Sequence, residues 1–486
     1  MNSTSFVLRG GRIVDPVNGV DTIGDLLVKD GKVAGLNVEP EMGCEIVDVS
    51  GKMVIPGVVD THVHTARPEV GGAGYRMLVK AGVTTAVDLE GPVDVVEDEI
   101  VPHGNGINMA VLEGIWPSKG LTSTNGTDGE ISAAINRAMD HGALGLKILG
   151  GHYPLSPDTI ARIIQLTYRE RGYVAFHAGS TTAGSDIHGL EQAVLLAGGL
   201  PLHIAHINAY CRGLVCHPLE ELRRAMDLLS RSSNIVSESH MAPFNGTSGL
   251  CQDGVPMSHV TRNCLRKRNY PVTQEGIRQA ILDHYASVYV PVGSEVRQLW
   301  GEEAVRQWEE RGTRVGLSFP VNLRTTALVC ATAKDTAGRF IVDALSSDGG
   351  MIPRNCILTY GMALVHFGAL TLAELVLKSS YYPARMFGLL NKGQLGSGAD
   401  ADIAVIDPDT GKAEMTIIDG QICMVSGVLI NRPGRVLTTE RGVAHLKRQQ
   451  VPHRVVDLSQ STYFKGKEGN DGPAERQGEN SRTRIF

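Results

Sequence analysis

The segment Asp60-Thr61-His62-Val63-His64 ends a short β-branched run. Alternate residues of a strand share a face, so His62 and His64 point the same way, one pleat apart. Two imidazoles at that spacing can grip one divalent ion, although the pair alone also arises by chance. Its place directly after Ile55-Pro56-Gly57 favours the metal reading. Lys147, in Gly145-Leu146-Lys147, sits in an apolar strand where an unpaired charge is costly. Either its tip escapes to solvent at the strand end, or the neutral amine reacts with carbon dioxide to a carbamate that can bridge two metals. His177 ends Phe176-His177-Ala178, and His203 and His206 lie in LHIAHIN. An odd spacing puts those two on opposite faces, and the C-terminal one, His206, is expected at the mouth. Ser346-Ser347-Asp348-Gly349-Gly350 offers a carboxylate at a strand end with glycines opening the next loop, which suits a proton carrier beside a metal.

These groups meet only if the chain folds them onto one rim. From Met53 to Leu390 short β-branched runs alternate with longer helical stretches. The runs are VVDTHVH, VTTAVDLE, INMAVLEGI, LGLKILG, YVAFHAG, PLHIAHIN, NIVSES and VDALSSD. GEISAAINRAMDHG and SPDTIARIIQLTYRERG carry apolar residues at three- and four-residue spacing, the second capped at Ser156 or Asp158. Eight such alternations predict an α/β fold with a closed parallel barrel, and place His62, His64, Lys147, His177, His206 and Asp348 at the ends of five strands. Converging there, they make a metal site. The long interval between NIVSES and VDALSSD predicts an insertion over the barrel mouth. Both chain ends are β-rich, with hairpin signals at Asp30-Gly31 and Asp419-Gly420. Whether they pair into one sandwich is open from composition alone. The predicted organisation is 1–54 and 391–458 as β segments, 55–390 as barrel with insertion, and 459–486 as a polar, disordered tail.

The 486 residues carry a net charge of −6, with 42% hydrophobic and 20% charged side chains. That balance argues against binding nucleic acid or an anionic membrane through bulk charge. No run reaches the length of a bilayer span, and the start lacks a secretion signal. Eight cysteines without a CxxC pair read as reduced thiols, Cys211 and Cys216 included, and the expectation is a cytoplasmic protein.

With these pieces in hand, the chain resembles the amidohydrolase superfamily over nearly its whole length. The resemblance rests on IPGVVDTHVH, AGVTT (Ala81 to Thr85), the lysine, histidines and aspartate above, YPARMFGL (Tyr382 to Leu389) and KGQLGSGADADIAVID (Lys392 to Asp407). It implies a distorted (β/α)8 TIM barrel beside a small β-sandwich made from both chain ends. Within the superfamily, GALGLKILGGHYPLSPDTIARII, the short His177–His206 interval, the long segment before Asp348 and Pro353-Arg354 are similar to the N-acyl-D-amino-acid deacylases (D-aminoacylases). Those deacylases typically use a cysteine after the second strand and lack the lysine. Here Asp88-Leu89-Glu90-Gly91 holds no cysteine, and Lys147 is closer to the dihydroorotase and hydantoinase pattern.

The resemblance implies two divalent ions, zinc by expectation, sharing a hydroxide. His62, His64 and Asp348 would hold one, His177 and His206 the other, with carbamylated Lys147 between. Asp348 would serve as general base and then acid in hydrolysis of a C–N amide bond of an N-acyl (D-)amino acid or similar small carboxylated amide. The rival is ring opening of a cyclic amide or imide; a third reading is a metal-free structural homologue. Expected substrate contacts are Arg354 as a carboxylate clamp, with Arg67, Asn208, His240 and Tyr210; His152 and His188 read as loop or helix residues. A small-molecule amide is the expected partner, and a homo-oligomer the expected assembly.

Overall fold

The computed structural model describes residues 5–40, 42–66, 72–103, 106–293 and 295–467. All eight runs become strands of one parallel sheet: β1 (Val58–His64), β2 (Val83–Asp88), β3 (Asn108–Pro117), β4 (Gly145–Leu149), β5 (Tyr173–His177), β6 (Leu202–Ile204), β7 (Ile235–His240) and β8 (Ala344–Ser346). They pair in chain order from β1 to β8. Closure is made by a split last strand: Ala344–Ser346 pairs with β7, and after a break at Ser347-Asp348 the pair Gly349-Gly350 lies parallel to Val63 and His64 of β1. This is the distorted barrel, with helices between strands. Ser156 caps the helix Pro157–Arg169, its hydroxyl accepting from Thr159 N at 3.3 Å. The helix Asp128–Asp140 has a capping box from Thr127 and Glu130.

Both chain ends join one nine-stranded sheet. Met53–Pro56 runs antiparallel to Ile403–Ile406, stitching the two ends together. Its core holds Phe6, Leu8, Val28, Val54, Ile403, Val405 and Ile417, almost all from the sheet itself, so the sheet packs on itself as a sandwich does. The two hairpins form where expected: Asp30 and Gly31 take φ of 51° and 78°, Asp419 and Gly420 48° and 72°, the paired left-handed geometry of tight hairpin turns.

The insertion between β7 and β8 is a folded unit. It contains the strands Thr247–Ser248, Ser287–Val292, Glu295–Leu299 and Gly316–Ser318 in one sheet, and the helices His259–Lys267, Gln274–Leu282 and Gly301–Glu310; the next helix, Arg324–Thr332, packs back on β7 and the barrel. Leu265, Ile277, Ile281, Val288, Trp308, Leu317 and Phe319 give it a core of its own.

One expectation needs correction. The polar tail predicted from residue 459 begins later: Leu458–Gln460 and Thr462–Lys465 form short helices, and Tyr463 is buried. Its hydroxyl accepts from Val174 N and donates to Pro201 O, both at 3.0 Å, while its ring stacks on Tyr173 at 3.8 Å. Leu458, Ser461 and Thr462 are buried with it, and Lys467 donates to Ile341 O at 3.0 Å, so several contacts tie this otherwise polar stretch to the barrel. The remainder, 468–486, lies outside the described residues. Tyr463→Ala is expected to cost about 3–5 kcal/mol, read as a drop of several degrees in Tm; an unchanged Tm would show the contact to be idle.

Candidate metal centre

At the C-terminal rim of the barrel a cavity of about 740 Å³ is lined by His62, His64, Lys147, His177, His206 and Asp348, and extends up to the insertion. All six candidates therefore meet. His62, His64 and Asp348 offer ligand atoms within 4.8 Å of one another. Asp348 Oδ1 lies 3.4 Å from His62 Nε2 and 3.2 Å from His64 Nε2. Across the mouth, His206 Nε2 is 3.0 Å from His177 Nδ1, and the His62 and His206 rings stack at 5.2 Å. Lys147 Nζ, fully buried, has no hydrogen-bond partner among the described residues.

Local backbone shapes this rim. Two of the six sit where the chain leaves its strand in a left-handed turn: His206 at φ 66° and Asp348 at φ 49°. Non-glycine residues pay about 1–2 kcal/mol for that conformation, and such strain gathers at functional sites. Glycine is required beside His177, where a Cβ on Gly151 would stand 2.1 Å from the ring's Nε2.

Buried carboxylates brace the donors. Glu238 Oε1 accepts a hydrogen bond from His62 Nδ1 at 2.7 Å, and its Oε2 accepts from the Ser346 hydroxyl. That fixes the His62 tautomer with its Nε2 lone pair turned to the cavity, as metal-bound histidines require. Asp60 accepts from Ser347 N at 3.1 Å and His62 N at 3.2 Å. Glu90 approaches His64 Nδ1 at 3.3 Å. Burial holds the His62, His177 and His206 imidazoles well below their usual pKa, leaving them neutral. His64 differs: burial opposes its charge, but Asp348 and Glu90 raise it to about 9. Burial pulls the Lys147 ammonium down to about 8 and pushes Glu238 up to about 8. Burial would raise the Asp348 carboxyl as well, yet Arg354, His62 and His64 hold it well below its ordinary range.

The expected substrate contacts fare differently. Arg354 is already committed: Nη2 meets Asp348 Oδ2 at 2.6 Å, Nε donates to the Asp348 carbonyl, and Nη1 donates to Phe244 O at 2.6 Å. Its fork is taken, so it positions Asp348 rather than clamping a carboxylate. Asn208 is buried off the cavity wall, its oxygen accepting from His240 N at 3.2 Å. His240 stands behind Asp348, 3.8 Å from Oδ2, and Tyr210 OH accepts from Ala178 N. Arg67 lies outside the described residues. His203 corrects the expectation of opposite faces. It pairs with Ala175, which pairs with Lys147, so it shares their inward face and sits deeper in the barrel, against Tyr173 OH at 3.3 Å. His206 reaches the cavity through a left-handed turn beyond the end of β6, and His188 is exposed. His152 is in a loop but lines the cavity, 5.2 Å from the His177 ring. Glu238, Asp60 and Glu90 were missed as supports; an acid inside the β-branched run Ile235–His240 was the available signal for the first.

Two other groups of ligand-type residues lie off this cavity. Asp400, Asp402 and Asp419 surround the buried ammonium of Lys392, and Asp94, His141 and His445 lie on the helical layer.

The Arg354 contact makes a prediction. Asp348 acts as an anion, and the guanidinium favours that anion. Arg354→Met should raise the Asp348 pKa and shift the acid limb of kcat/KM to higher pH, lowering kcat more than it changes KM. An unmoved limb would remove this role.

Barrel, rim and sandwich define the class. The profile of the Amidohydrolase family matches residues 53–431, and the chain belongs to that family, hydrolases of carbon–nitrogen bonds. It is similar to a dihydroorotase of Pelotomaculum thermopropionicum, 25% identical over 83% of this chain and 89% of that one. A dihydroorotase of Geobacter metallireducens is 26% identical over 85% and 91%. In fold it is similar to the N-acyl-D-glutamate deacylase of Bordetella bronchiseptica, solved with zinc and a phosphonate inhibitor (TM-score 0.65, 16% identity, 89% of this chain and 98% of that one). A D-hydantoinase structure has a TM-score of 0.59 at 16% identity, over 89% and 98%. No helix among the described residues is long and apolar enough to cross a membrane.

Proposed function

We propose that this protein is a metal-dependent amidohydrolase acting on an N-acyl (D-)amino acid or a similar small carboxylated amide. The observation that carries the metal is the orphaned, fully buried Lys147 Nζ on a rim shared with the neutral imidazoles of His62, His177 and His206. Isolated burial of that amine would be costly; as a carbamate it becomes a carboxylate that can bridge two ions. His206 Nδ1 is likewise buried without a partner among the described residues. The donor set, imidazole nitrogens with carboxylate oxygens, suits zinc. His62, His64 and Asp348 would hold one ion, His177 and His206 the second, and carbamylated Lys147 would bridge them. Such ions supply a nucleophile from water near neutral pH and polarise a carbonyl.

The protein's own part is orientation and proton transfer. Glu238 and Glu90 set the imidazoles. Arg354 anchors Asp348 Oδ2, so Oδ1, facing His62 and His64, is the atom that takes a proton and returns it to the departing nitrogen. The cavity gives more room than one five- or six-membered ring fills, which favours an extended acyl substrate. A second reading, opening of a cyclic amide, is supported by Lys147 and by the dihydroorotase relatives. Metal-loaded protein assayed against N-acyl-D-amino acids, hydantoins and dihydropyrimidines separates them: faster acyl hydrolysis supports the first, faster ring opening the second.

A further inference from the structure

We propose that Arg212, with Lys267 beside it, is an anion subsite that receives the substrate's carboxylate on the cavity wall where the loop after β6 meets the insertion. The proposal deepens the reading of this cavity as an amide-hydrolysing site and rests on it.

Arg212 lines the cavity just after the turn Ile207–Tyr210. Its Nε and Nη2 both donate to Asn322 Oδ1, at 2.9 and 2.6 Å. Asn322 is itself fixed, donating through Nδ2 to Ala242 O at 3.3 Å and Phe244 O at 3.1 Å. The side edge of the guanidinium is therefore held by a neutral oxygen. Its end edge, Nη1 with the second proton of Nη2, has no acceptor among the described residues, and no carboxylate there forms an ion pair with it.

A guanidinium stays charged in a protein and presents a planar fork matched to a carboxylate. Leaving one half-buried beside a cavity without a counter-ion is costly. Burial lowers its pKa, and the field of Asp348 only partly offsets this. That carboxylate is in any case taken by Arg354. Lys267 adds a second cation: its Nζ donates to Arg212 O at 3.3 Å. Burial and then Arg212 lower the Lys267 pKa, as expected of like charges held close. Glu221, the buried acid of the following helix, is turned to the amides of Gly213, Val215 and Cys216.

Charge along the cavity points the same way. Its acidic lining residues, Glu90, Asp186 and Asp348, follow β2, β5 and β8, whereas the insertion contributes Lys267, Arg311 and Arg314 and no acid. A substrate with its amide at the histidines and its anion at Arg212 would match both ends. Such a pairing would satisfy the open edge of Arg212 with two charge-assisted hydrogen bonds.

The test compares N-acetyl-D-alanine with its neutral C-terminal amide. In turnover, wild type should favour the acid, and Arg212→Met should cut that preference roughly 10- to 100-fold, mainly through KM. Arg212→Lys should recover part of it. Calorimetry on metal-free protein reads the subsite without catalysis: wild type should bind N-acetyl-D-alanine more tightly than the amide, and Arg212→Met should erase the difference. Equal acid and amide binding in wild type, or a preference untouched in a folded Arg212→Met variant, overturns the subsite. Tight acid binding that needs Arg212, with no turnover of either compound, would instead keep the subsite and sink the proposed reaction.

Discussion

Replacing Asp348 by asparagine should cut kcat by about 10²- to 10⁴-fold, the range for removing a positioned acid–base group, with little change in KM or metal content. Asparagine keeps an oxygen donor and nearly the same shape. What it loses is the proton site at Oδ1, the atom 3.2–3.4 Å from the His62 and His64 Nε2 atoms. It also loses the charge that Arg354 neutralises, and a folded variant with normal metal content separates these effects. Near-normal turnover in such a variant would remove Asp348 from proton transfer.

The second large effect is expected at Lys147. Lys147→Ala removes the side chain proposed as the bridge from the cavity that it lines with His62, His64, His177 and His206. Its ion content should fall, and with it the several kcal/mol that metal assistance supplies, a loss of about 10²-fold or more in kcat/KM. Because the proposed bridge is chemically a carboxylate, short carboxylic acids added from solution should restore part of the ion content and rate. A variant that keeps full metal and activity would show the lysine to be structural. One that loses both but never responds to added carboxylate would argue against the carbamate.

Much of this was legible because strand chemistry is local. HxH at a pleat's spacing, a lysine inside an apolar run, and histidines or an aspartate ending β-branched runs are visible in the chain, and the β/α alternation says that they share a rim. The odd spacing of His203 and His206 misled, because β6 ends at Ile204: alternation does not extend to His206, whose left-handed turn brings it to the cavity, while His203 shares the inward face of Lys147 deeper in the barrel. What was not legible depends on distant pairing. Arg354, six residues beyond Asp348, looked free to clamp a carboxylate because nothing in its neighbourhood shows that Asp348 and the Phe244 carbonyl occupy its fork. Arg212 carried no motif at all; its open edge exists only because Asn322, from the insertion, holds the other one. Glu238 became a support for His62 only through a contact between β7 and β1. Tyr463, in a polar stretch, is buried by contacts with Tyr173 and Val174 of β5 and with Pro201 just before β6.

The most direct measurement is elemental analysis of protein prepared with bicarbonate, paired with mass spectrometry that preserves carbamates. Two divalent ions per chain, with the added mass of one carbon dioxide mapped to the peptide holding Lys147, is the predicted result. An active preparation with no divalent ion, or with both ions and an unmodified Lys147, would contradict the account.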